Sequence, residues 1–127
     1  MNNTKQTLFD KYGGVEVVGM LVRTFYERVL LDPLLSTYFV DINMPALVDH
    51  QVAFMRFAMG KSSDSFTPLR MAKAHQKFKI DQAAFDQAVR ILTDVLKEGG
   101  VEHDDLLLVV QRIAMFAADI IFQEPSP

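Results

Sequence analysis

The sequence predicts an all-α domain on three observations. Apolar residues recur at helical spacing in four separate stretches, Gly-Gly or Asp-Pro pairs punctuate them, and no stretch alternates as a half-buried strand does. At 127 residues, half of them apolar, the chain is long enough to bury one core and too apolar for disorder. It reads as a single domain spanning 1–127, with 1–6 and 123–127 as frayed tails.

The first helix is short: Thr7 caps it and Gly13-Gly14, a pair able to take positive φ, closes it. From 15 to 30, Val18, Leu21, Val22, Phe25 and Val29 form a stripe that Asp32-Pro33 ends. Tyr26 lies on its inner flank, and a buried phenol wants a hydrogen-bond partner. The segment 34–40 is turn-rich and sets Tyr38-Phe39 ahead of a loop. Asn43 then caps a helix, with Pro45 in its first turn, whose inward stripe is Leu47, His50, Gln51, Phe54, Met55 and Ala58. Burying an imidazole and an amide there costs on the order of a few kcal/mol unless something polar faces them, so Tyr26, His50 and Gln51 suggest a polar pocket.

After the loop 60–66, Thr67-Pro68 starts a short helix whose last turn presents His75 on the same face as Met71. Asp81 caps the next helix, with Phe85, Ala88, Val89, Leu92, Val95 and Leu96 on one face, and Gly99-Gly100 ends it. His103-Asp104 begins the last helix, whose core stripe runs through Leu106, Val109, Val110, Ile113, Phe116, Ala117 and Ile120; His103 itself reads as a helix-end residue. Leu107, Leu108, Met115 and Phe122 lie off that stripe, either covered by other helices or free for an oligomer contact, so the chain reads as a monomer or a weak homodimer.

Several function classes are disfavoured. A net charge of −3 with 13 scattered basic residues argues against nucleic acid. The most apolar run, 106–122, is broken by Gln111, Arg112 and Asp119, so no membrane span is expected, and the N-terminus has no signal-like character; the expected location is the cytoplasm. Without cysteine there is no disulfide, iron–sulfur ligation or thiolate nucleophile, and a metal must rely on His, Met, Tyr or carboxylates. A lone histidine on an apolar helix face is most often structural, but here His75 faces a cavity with Tyr26, Gln51 and His50 opposite. Phe39, Leu47, Phe54, Met71, Ile80 and Phe85 supply apolar walls. A flat, mostly apolar cofactor with one open coordination position fits such a pocket, and a haem ligated by His75 is the candidate.

The order of these residues resembles a family. Leu8-Phe9-Asp10-Lys11-Tyr12-Gly13-Gly14, Phe25-Tyr26-Glu27-Arg28-Val29-Leu30, Tyr38-Phe39, His50-Gln51-Val52-Ala53-Phe54 and Met71-Ala72-Lys73-Ala74-His75 are similar to segments of the group I truncated haemoglobins, in order and at matching separations. The resemblance implies a globin-like two-over-two helical sandwich enclosing haem b. His75 matches the proximal iron ligand, and Phe39 the ring that packs on the porphyrin. Tyr26 and Gln51 match the distal hydrogen-bonding pair, and Leu47 stands where ordinary globins usually carry a distal histidine. His50 matches a position that in some members binds iron as a sixth ligand and in others points outward to a haem propionate. The chain departs from the family at Met55, a frequent aromatic on the ligand tunnel, at Met59-Gly60 for a glycine pair, and at Phe66 for a tyrosine. Arg70, Lys73 and Lys77 are either propionate partners or solvated charges.

By this resemblance the chain reversibly binds O2, NO and CO and supports nitric oxide dioxygenation with an external reductase. The alternatives are a non-catalytic oxygen or redox sensor, an electron carrier with bis-histidine haem, and a haem-free helical interaction module in which His75 is simply buried.

Overall fold

The Thr7 hydroxyl accepts from the Asp10 amide at 3.2 Å and so opens α1, Leu8–Lys11. This computed structural model describes residues 7–60, 71, 72, 75 and 78–121. The expected tails, the loop 61–66, the Thr67-Pro68 helix start, the basic residues Arg70, Lys73 and Lys77, and Phe122 lie outside the described residues. A corner comes after α1 at Gly13 and Gly14, with φ of 103° and 66°. Only glycine takes that backbone cheaply, and a Cβ at Gly13 would run into the Val17 side chain.

The long α2, Gly14–Leu31, carries the buried stripe Val18, Val22, Tyr26 and Val29. Asp32 ends it and fastens two neighbouring elements: its Oδ1 accepts from the Leu34 and Leu35 amides at 2.8 and 3.1 Å, while Oδ2 accepts from Gln87 Nε2 at 2.8 Å. That carboxylate therefore ties the 3₁₀ turn Ser36–Phe39 to α4, Gln82–Glu98. Between them α3, Met44–Ala58, starts where Asn43 Oδ1 accepts from Ala46 N at 3.1 Å with proline in its first turn. Asp81 caps α4 through a 2.8 Å bond from the Ala84 amide.

Every element among the described residues is helical. The helix α2 packs on α3 and on α4, and α5, His103–Ala114, packs on α3 and α4, which sets one helix pair across another as the sequence implies. Their shared core includes Val18, Met59, Leu96 and Val109, each almost wholly withdrawn from solvent and worth roughly 1.5–3 kcal/mol of burial apiece.

The last helix departs from expectation. The sequence stripe runs unbroken to Ile120, but α5 stops at Ala114 and a separate turn of helix, α6, spans Ala117–Ile120. The Phe116 amide bonds back three residues to Ile113 at 3.0 Å, tightening the chain there. This seats the buried Phe116 ring 6.1 Å from Phe54 and 5.8 Å from Phe57. Leu107, Leu108 and Met115, left open by the sequence, are exposed.

A clamp that the sequence did not suggest joins α1 to α5. Asp105 accepts from Lys11 Nζ at 2.7 Å and from Tyr12 Oη at 2.5 Å, and the Glu102 amide donates to the same phenol oxygen at 3.0 Å. The Lys11 and Tyr12 bonds hold the Asp105 carboxyl below its ordinary 3.8. A depressed folded-state value contributes stability that is present above the unfolded value and lost as pH falls through the folded one. Thermal melts of wild type and Asp105→Asn should therefore differ at neutral pH, with the gap narrowing as pH falls below 3.8 and closing below the depressed folded value. An equal gap at pH 7 and at pH 2 would contradict the clamp.

Candidate cofactor pocket

The facing sides of α2, α3 and α4 do not meet along their whole length but enclose a cavity of about 430 Å³. From α2 come Val22, Phe25, Tyr26 and Val29; from α3, Leu47, His50, Gln51, Phe54 and Met55; from α4, Ala84, Phe85, Ala88, Val89 and Leu92. The 3₁₀ turn adds Tyr38 and Phe39, and Met71, His75, Phe78 and Ile80 close another side. All ten residues singled out in the sequence, His50, Gln51, Tyr26, Phe39, Leu47, Phe54, Met71, His75, Ile80 and Phe85, thus line one space. Ala84 and Ala88 carry no sequence signal beyond helix and core; their small side chains leave room where larger ones would fill it.

Two polar groups face into this apolar shell from α2 and α3. Tyr26 is 3% exposed, its ring held edge-on by Phe25 at 5.0 Å and Phe39 at 5.8 Å. Burial raises the Tyr26 phenol above its ordinary value, and a side-chain hydrogen bond with Gln51 opposes that in part. Tyr26 is therefore a neutral donor across the whole physiological range, and Gln51 is the partner its burial required.

His50 corrects one expectation: it lies on the inward stripe by spacing, yet it is exposed, at the rim of the cavity. Its imidazole therefore stays in contact with water, and only Gln51 of that pair needs a buried partner.

His75 is half-buried and helical, and its Nδ1 lies 2.8 Å from the Met71 carbonyl. A carbonyl can only accept, so Nδ1 carries the proton and Nε2 keeps a free lone pair. The bond also orients the ring, as outer partners of metal-ligating imidazoles do. Among the described residues no three His, Asp or Glu side chains gather as a ligand set. An iron held by this imidazole would have to bring its in-plane ligands with it. A flat, largely apolar macrocycle meets that need, and the cavity's apolar walls, the His75 Nε2 atom and the opposing neutral donors fit it.

Fold and pocket together define a two-over-two helical protein with a largely apolar cavity between its helices. The chain matches the model of bacterial-like globins over residues 7–122. It is 35% identical over 112 residues to the group 1 truncated haemoglobin GlbN of Synechocystis sp., covering 85% of this chain and 89% of that one. It is 32% identical over 114 residues to GlbN of Mycolicibacterium paratuberculosis, covering 90% and 83%. Among solved structures, the 2/2 haemoglobin of Synechococcus sp., in the cyanomet state with covalently attached haem, superposes with a TM-score of 0.82 at 29% identity, covering 91% of this chain and 98% of that one. The ferric truncated haemoglobin of Tetrahymena pyriformis superposes at 0.81 with 24% identity, over 93% and 100%, a likeness of fold. The chain belongs to the bacterial-like globins, as a group 1 truncated haemoglobin. No helix among the described residues is long and apolar enough to cross a membrane.

Proposed function

We propose that the cavity holds haem b on the Nε2 atom of His75 and that the chain reversibly binds dioxygen and other diatomic ligands, supporting nitric oxide dioxygenation with electrons from a separate reductase. The observation that carries this reading is the oriented His75 imidazole lining the same cavity as the Tyr26–Gln51 pair. Haem, when bound, supplies the iron at which dioxygen and nitric oxide meet and are turned to nitrate with one electron.

The residues do the rest. His75 fixes the iron and donates electron density through a ring that the Met71 carbonyl holds in place. Gln51 donates to the Tyr26 oxygen, which leaves the phenol proton to point at a ligand and favour partial negative charge on it. Leu47 is apolar, so it excludes water without competing for that charge, and Phe39, which lines the same cavity, would supply an apolar ring for the cofactor to pack on. Mixing the oxygenated protein with nitric oxide in a stopped-flow instrument tests the reaction: ferric protein and nitrate should form far faster than by autoxidation. Formation no faster than autoxidation leaves binding alone.

The bis-histidine alternative rests on His50, which lines the cavity yet is exposed. Its ligation of iron requires α3 to shift inward past Leu47 and Gln51. The outward position predicts a high-spin spectrum for the dithionite-reduced, ligand-free protein, unchanged in His50→Ala. A low-spin spectrum that becomes high-spin in that variant would instead support a sensor or electron carrier.

A further inference from the structure

The buried Tyr26 is held through its hydroxyl by Gln51 and through its ring by Phe25 and Phe39, edge-on at 5.0 and 5.8 Å. Gln51 and Phe25 belong to α3 and α2, long helices fixed by their own backbone bonds. Phe39 is different. It ends a 3₁₀ turn of four residues, and a turn that short makes too few internal bonds to hold a side chain by itself. Buried Leu35 anchors the start of the turn, and Phe39 is half-buried at its far end. Asp32 braces the turn against α4: Oδ1 accepts from the Leu34 and Leu35 amides at 2.8 and 3.1 Å, and Oδ2 accepts from Gln87 Nε2 at 2.8 Å. The Gln87 bond is the largest influence holding the Asp32 carboxyl below its ordinary 3.8, so it is ionised at neutral pH. Gln87 neighbours Ala84 and Ala88 on α4; they line the cavity, whereas neither Gln87 nor Asp32 does.

We propose that Gln87 is a positioning residue for the Tyr26 donor: through Asp32 it sets the 3₁₀ turn, through the turn it sets Phe39, and Phe39 keeps the Tyr26 hydroxyl aimed at the bound ligand. The proposal rests on the haem reading above. A hydrogen bond weakens steeply as its angle closes, so a ring free to tilt away from Phe39 donates poorly even with its hydroxyl intact. Gln87→Glu breaks the brace by setting a second carboxylate against the ionised one. Adding Asp32→Asn restores it with the roles exchanged: the new amide nitrogen donates to the new carboxylate, and its oxygen still accepts from the Leu34 and Leu35 amides.

The test measures two quantities on haem-loaded protein at pH 8, dioxygen release by stopped flow and hydrogen exchange of the Leu34 and Leu35 amides. Gln87→Glu should speed amide exchange and speed release by about three- to fivefold, less than the roughly tenfold expected from deleting the phenol's hydrogen bond outright. The Asp32→Asn, Gln87→Glu pair should return both to wild-type values. In a Tyr26→Phe background Gln87→Glu should leave release unaltered, because the group it positions is gone, whereas a general loosening of the fold would speed release in both backgrounds alike. Gln87→Met, which removes the bond without adding charge, takes the place of Gln87→Glu if that variant does not fold. Unchanged exchange, unchanged release, equal acceleration with and without the Tyr26 hydroxyl, or no rescue by Asp32→Asn would each overturn the assignment. A missing Soret band, or a Tyr26→Phe release rate equal to wild type, sinks the haem or distal-donor reading and this one with it; a fast Tyr26→Phe beside a slow Gln87→Glu sinks this one alone.

Discussion

Alanine in place of His75 should strip the pocket of its cofactor, with haem retention through gel filtration falling by about a hundredfold or more, since removing merely an outer partner of a metal ligand already costs roughly 10–100-fold. The reason is geometric. His75 is the one imidazole on its side of an apolar cavity, aimed by the 2.8 Å bond to Met71, and no other described residue beside it offers a nitrogen donor. Free imidazole added to the variant should restore the band, because the cavity created has the shape of the ring removed. Unaltered retention and colour in His75→Ala would remove the ligand assignment, and failure of imidazole to rescue would point instead to a collapsed fold.

The second large effect concerns the opposite wall. Tyr26→Phe and Gln51→Ala should each speed dioxygen release from the reduced protein by about tenfold, from losing a hydrogen bond of ~1.5 kcal/mol. The two groups are bonded to each other, so the double variant should release faster than either single one but by less than the product of the two effects. Because the Tyr26 phenol is raised and stays neutral, release should be flat with pH across the neutral range. Identical rates in wild type and the double variant would reject the pair as ligand-stabilising donors.

Much of this site was legible in the sequence because its elements announce themselves locally. Caps at Thr7, Asn43 and Asp81, and the Gly13-Gly14 corner, arise from short-range backbone chemistry and stand where spacing put them. Tyr26 and Gln51 were visible as polar residues on apolar stripes, a conflict that only a partner or a pocket resolves. What periodicity cannot do is tell a protein core from a cavity wall. Val22, Phe25, Leu92 and Ile113 carry the same signal as core residues, yet they line the space.

His50 shows the same limit from the other side. Its position on the stripe comes from 3.6-residue spacing, but whether a side chain at the stripe's edge turns to water is set by tertiary packing. The Lys11–Tyr12–Asp105 clamp joins residues more than ninety apart and left no local trace. The break before α6 coincides with Phe116 packing on Phe54 and Phe57, a contact between distant segments with neither proline nor glycine to mark it.

Titrating ferric haem into the cofactor-free chain while monitoring the Soret region puts the central assignment to the most direct trial. A band that grows linearly and breaks at one equivalent per chain is the expected outcome. Absorbance that climbs without a break, as haem does when it sticks non-specifically to apolar surface, would contradict a built site in this cavity.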